Sequence, residues 1–217
     1  MSIPSTGATL VGYEVGSGRR GVVLIPERGG LNLCGWWPYA AYLAGRGYHV
    51  LLFDHRCAGH SSCPATPGPN DLMDDLTAVT ARLRQDGAGR VVLIGASQGG
   101  AEAVIFGSRP PSGLAGVVAL SADELTDNLA AAPYPASASA AAPHLALPSL
   151  FVVAADDPYV SVVDSQRLES AVRAGGKRII VVAAGRGHGW DLLAAGPDGS
   201  RPAPDADILT FLAGVLP

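Results

Sequence analysis

Charge is scarce in this sequence. Asp, Glu, Lys and Arg make up 16% of 217 residues, and the net charge at pH 7 is −4. The 15 Lys and Arg are scattered without a basic run, so the electrostatic footprint of a nucleic-acid binder is missing. Long apolar runs are missing too. None approaches the ~18 residues a membrane span requires, and residues 1–18 lack the basic start and apolar core of a secretion signal. The expectation is a cytoplasmic protein with neither membrane nor nucleic acid among its partners. Cysteine is rare: Cys34, Cys57 and Cys63 are odd in number and lack paired metal-ligand spacing, which argues for reduced thiols and against a disulfide framework or zinc site. What the chain has instead is apolar mass, 48% of its residues, enough at this length for one domain with a sizeable core.

That apolar mass comes in short blocks. Residues 9–15 alternate and suit an edge strand, whereas 21–25, 49–53, 90–94, 114–120, 150–154 and 178–182 are apolar runs of the kind buried in a parallel sheet. Between them, 37–46, 71–85, 98–107, 162–174 and 205–215 carry helix-compatible patterning. Leu72, Leu76, Val79 and Leu83 form one stripe, and Asn70 and Ser161 stand where helix caps are expected. The alternation predicts an α/β fold, a doubly wound and mostly parallel sheet of about seven strands with helices on both faces. Residues 123–148, rich in Ala, Pro and Ser, fit neither pattern and read as a loop or short mobile lid, with no separate cap domain.

One run joins a strand directly to a helix through Gly95-Ala96-Ser97-Gln98-Gly99-Gly100. A serine in such a turn sits on a strained backbone that lifts its hydroxyl above the sheet, and small residues two before and two after let strand and helix approach. A glycine-rich turn with a capping serine would look similar. A phosphate loop would not, because no Gly-Lys-Ser/Thr follows.

A serine hydroxyl needs a base within reach, and the base needs a group that holds its tautomer. Ligands of a parallel sheet gather at the carboxyl ends of the strands, so both should follow later strands. Of five histidines, His188 alone does so late in the chain, between glycines in Gly185-Arg186-Gly187-His188-Gly189. The acid should lie between serine and histidine, where Asp156 and Asp157 follow the run 150–154 and compete for the role. The other would be an ordinary turn residue.

These residues resemble the α/β-hydrolase superfamily over nearly the whole chain. Asp54-His55-Arg56-Cys57-Ala58-Gly59-His60-Ser61 is similar to its Asp-x-Arg-Gly-x-Gly-x-Ser loop, with Cys57 in place of a glycine, and 154–160 is similar to its Gly-x-x-Asp-x-x-Val acid motif. That register selects Asp157. Pro26-Glu27-Arg28-Gly29-Gly30 departs from the common His-Gly and looks closer to dienelactone hydrolases. The resemblance implies a cofactor-free, metal-free serine hydrolase of an uncapped, carboxylesterase-like kind. Ser97, Asp157 and His188 would be catalytic, the backbone N–H groups of Arg28 and Gln98 would form the oxyanion hole, and Glu27 would touch the nucleophile. Its partner would be a small-molecule acyl substrate. Trp36, Trp37 and Trp190 would line an acyl pocket or belong to the core. An acyltransferase or cyclase on the same scaffold, or a binding protein with a dead site, are the alternatives.

Overall fold

Period-two alternation decides which way each strand residue faces. In β3 (Arg20–Ile25), Val22 and Leu24 enter the core on one side of the sheet, and Val23 and Ile25 enter the core on the other. The same division holds in β4 (His49–Phe53), β5 (Arg90–Ala96), β6 (Leu114–Leu120) and β7 (Ser149–Ala154). Residues buried on both faces can be apolar throughout, which is why these strands read as continuous runs. The structure, a computed structural model, describes residues 1–29, 31–122 and 129–217.

Its sheet has the order β1-β2-β4-β3-β5-β6-β7-β8, completed by β1 (Ser2–Ser5), β2 (Ala8–Val15) and β8 (Lys177–Val182). From β4 to β8 all neighbours are parallel, while β1 and β2 pair antiparallel at one edge. Helices α2 (Asp71–Gln85), α3 (Gln98–Gly107), α4 (Ala138–Ala141) and α5 (Val162–Ala171) supply the core on one face. Helices α1 (Leu33–Ala44) and α6 (Pro204–Val215) supply the other. Each fully buried leucine such as Leu24, Leu76 or Leu212 adds about 1.5–3 kcal/mol. Among the described residues no helix is long and apolar enough to cross a membrane.

Among the described residues the sheet has eight strands, in keeping with the expected seven or so, the added one being Ser2–Ser5, too short and polar to read as a strand and fastened by pairing Ile3 with Leu10. Three local expectations need correction. Helix α1 begins at Leu33, ahead of 37, because its first amide donates to the distant Asp54 Oδ1 at 3.1 Å. Asn70 does not cap α2. Its side chain accepts from Ala131 N (2.9 Å) and donates to Ala132 O (3.1 Å), tying α2 to a remote loop. Cys57 and Cys63 form a disulfide, and only Cys34 is free. Counting three cysteines says nothing of which two meet. Here Cys57 takes the left-handed conformation (φ 62°) and the turn brings the two Cα atoms to 4.4 Å.

Of the expected lid, 123–128 lie outside the described residues. The remainder is a packed segment: Ala138, Ala141, Ala142 and Leu145 are buried in the core, and Tyr134 stacks on Phe106 of α3.

Candidate active site

The turn from β5 into α3 allows no side chain at its two glycines. A Cβ on Gly95 would lie 2.0 Å from Gly99 O, and one on Gly99 would lie 2.4 Å from Pro26 O. Ser97 between them has φ 51° and ψ −118°, a conformation that strains any residue with a side chain. Its N–H is anchored to Leu120 O (2.8 Å), and its half-buried hydroxyl makes no hydrogen bond among the described residues. The Gln98 N–H opens α3 and therefore has no intrahelical acceptor. Gln98's side chain turns inward to donate to Glu102 Oε1 (2.7 Å), whose Oε2 meets His55 Nε2 (3.0 Å) in a buried polar row.

The second group stands at the ends of β6, β7 and β8. Asp157 has a fully buried side chain. Its Oδ1 accepts from Tyr159 N and Val160 N, both 3.0 Å, and from His188 Nδ1 at 2.9 Å. Its Oδ2 accepts from Ser121 Oγ at 2.6 Å and lies 3.0 Å from the same histidine nitrogen. Burial pushes the Asp157 carboxyl up, but the hydrogen bonds from Ser121, Tyr159, Val160 and His188 outweigh it and hold the group below the usual aspartate range. Asp156 is engaged elsewhere. Both its oxygens accept the Gly185 N–H, at 3.0 and 2.9 Å, at the root of the histidine loop. Gly185, Gly187 and Gly189 all have positive φ (80°, 75° and 57°), so the glycines around His188 are conformational requirements. A Cβ on Gly189 would lie 3.4 Å from Ala96 Cβ, which brings the histidine loop against the turn that holds Ser97.

The loop after β3 faces the same end of the sheet. Glu27 packs its carboxylate against Gly189, where Oε2 is buried without a hydrogen-bond partner among the described residues. Burial raises its pKa, His188 and the Trp190 backbone oppose the rise, and Asp191 and Asp157 add to it. Arg28 and Gly29 are exposed, and Gly30 lies outside the described residues. Trp36 is wholly buried and donates Nε1–H to Ile25 O at 2.9 Å, so it is a core residue and not a pocket wall. Trp190 is 9% exposed and packs edge-on against Trp36. With Leu31, Cys34, Pro38 and Leu193 it borders an open groove of about 270 Å³. Trp37 lies elsewhere, half exposed against Tyr13. Among the described residues no three His, Cys, Asp or Glu side chains gather as a metal site would require.

This arrangement can be set beside known proteins. The family model for the alpha/beta hydrolase fold matches residues 21–141, more than half of the 217-residue chain. The chain belongs to the α/β-hydrolase fold family. No curated protein sequence matches it. Solved structures that it resembles include an esterase of Pyrococcus furiosus (18% identity, TM-score 0.82, covering 100% of this chain and 91% of that one). A malate-bound thermophilic esterase of Thermogutta terrifontis is similar at 18% identity and TM-score 0.77, covering 100% and 99%. An enol-lactonase of Burkholderia xenovorans follows at 16% and 0.73, covering 98% and 100%. At these identities the likeness is one of fold.

Two residues around this candidate site, Ser121 and Tyr159, escape sequence reasoning, and a third is read in the wrong part. Ser121 directly follows an apolar strand, the place where site residues are sought, and that position is its one signal. Asp156 reads only as a rival for Asp157. Tyr159, 75% exposed, sets its ring edge-to-face with His188 at 4.8 Å between centroids, and no spacing pattern announces such a contact.

Proposed function

We propose that this chain is a serine hydrolase that cleaves an acyl ester or thioester of a small molecule through an acyl-enzyme intermediate, working as one uncapped domain. The observation that carries the reading is the pairing of a strained Ser97 at the start of α3 with an Asp157–His188 couple against the same turn. With Nδ1 of His188 donating to the buried carboxylate, Nε2 is left as the acceptor. It takes the Ser97 proton as Oγ attacks the acyl carbon. The carbonyl oxygen becomes an oxyanion, for which the Gln98 N–H and the Arg28 N–H are the assigned donors. His188 then gives the proton to the leaving alcohol or thiol, and the acyl group stays on Ser97. Water, deprotonated by His188, attacks in turn; the acid departs and the proton returns to Ser97. Asp157 remains ionised throughout. No metal or organic cofactor is called for in these steps.

The groove beside Trp190 is modest in volume and is lined by none of Ser97, Asp157 or His188, whereas Leu129, Ala130, Ala138, Ala141, Ala142 and Leu145 of the segment after β6 are buried in the core. The second feature favours short acyl groups. In a series of p-nitrophenyl esters, kcat/KM should peak at about two to six acyl carbons, because further methylenes find little apolar wall. A preference for twelve carbons or more would overturn the short-chain assignment, and ester turnover unchanged by Ser97→Ala would overturn the mechanism.

A further inference from the structure

The hydroxyl of Ser121 has only one way to satisfy its surroundings. The residue is wholly buried at the end of β6. Its Oγ lies 2.6 Å from Asp157 Oδ2 and 3.0 Å from Gly189 N. A backbone N–H can only donate and an ionised carboxylate can only accept, so the single hydroxyl proton must point at Asp157 while a lone pair receives Gly189. One side chain thus ties the acid to the residue that follows the base.

The backbone is shaped for this contact. Ser121 has φ 45°, a left-handed conformation that disfavours residues other than glycine, and its N–H is held by Val152 O at 2.7 Å. The buried Asp157 carboxylate shows why the contact matters. Among the described residues, Oδ1 has two backbone donors of its own, whereas Oδ2 has Ser121 alone besides the shared His188 nitrogen. Without the hydroxyl, Oδ2 would be a buried oxygen leaning wholly on the imidazole, and the carboxylate would be free to rotate about its remaining anchors.

We infer that Ser121 is a positioning residue for the proposed hydrolysis: its hydroxyl fixes the Asp157 carboxylate and the start of the 189–193 turn in mutual register, and so aims His188 at Ser97. The inference rests on the serine-hydrolase reading. Its activity test is the pair Ser121→Ala and Ser121→Gly, which both remove the hydroxyl while glycine also relieves the left-handed backbone. Each should lower kcat roughly 10- to 100-fold, the range expected when a hydrogen bond to a buried charge is lost, with KM changed less than about twofold because no substrate contact is removed. A second readout needs no turnover. The His188 Nδ1 proton, identified by its loss in His188→Gln, should resonate far downfield in the parent protein and move upfield or vanish into solvent exchange in both variants. Folded variants with unchanged kcat, or with an unmoved His188 proton, would overturn the assignment. Failure of the parent to hydrolyse any ester, with the His188 proton still displaced, would overturn the hydrolase reading while leaving Ser121 as the group that aims the histidine.

Discussion

The two loops that meet at Ser97 are built differently. On the side of β6, β7 and β8, the Asp157 carboxylate is enclosed by donors from Ser121, Tyr159, Val160 and His188, and Asp156 clamps the root of the histidine loop. On the side of β3, Arg28 and Gly29 are exposed and Glu27 carries a buried oxygen with no partner among the described residues. A buried carboxylate that must stay charged while a proton moves beside it needs fixed dipoles in advance. In the proposed mechanism the opposite loop has only to offer backbone N–H groups to an oxygen that arrives with the substrate. The contrast teaches that order in this site is concentrated where charge is held permanently.

Mutations should separate the two sides. Ser97→Ala removes the proposed nucleophile common to both and should lower kcat by about 10⁴ or more, measured by steady-state ester hydrolysis. Asp157→Asn attacks the ordered side and should lower kcat by about 10² to 10⁴, because the amide disturbs the histidine tautomer. Asp156→Asn keeps one acceptor for Gly185 and should reduce kcat less than about tenfold; an effect larger than that of Asp157→Asn would reverse the roles of the two aspartates. On the open side, Arg28→Ala should change kcat by no more than about threefold, since a backbone donor is indifferent to its side chain.

The smallest effect concerns stability. Burial raises Glu27 above its ordinary value of 4.5, so the folded protein binds this proton more tightly than the unfolded chain does. Its contribution is complete below 4.5 and is lost as pH rises through the raised value. Glu27→Gln, which does not titrate, should therefore gain in Tm on the parent as pH rises from 4 to 8. Equal Tm differences at both pH values would mean that the carboxyl is not held in a desolvated place.

The parts of the molecule legible in the sequence are those set by local pattern. The buried strands show as apolar runs, α3 begins at Gln98 as its strand-turn-helix context requires, and the Gly95 and Gly99 spacing reflects contacts of main chain with main chain. The parts that stay hidden depend on residues far apart in the chain. Leu33 starts α1 because Asp54 lies 21 residues on. Ser121 matters only through Asp157, 36 residues later, and Gly189, 68 residues later. Cys57 takes a positive φ of 62°, a conformation that favours glycine. Its partner Cys63 follows from the shape of the turn, which no count of cysteines contains.

Covalent labelling tests whether Ser97 is a base-activated nucleophile without choosing a substrate. Incubation with a fluorophosphonate, followed by mass spectrometry of the digested protein, should find one phosphonyl adduct on the peptide containing Ser97. Labelling should fall sharply in His188→Ala and be absent in Ser97→Ala. No adduct on the folded parent protein, or an adduct on a different residue that persists in Ser97→Ala, would contradict the account.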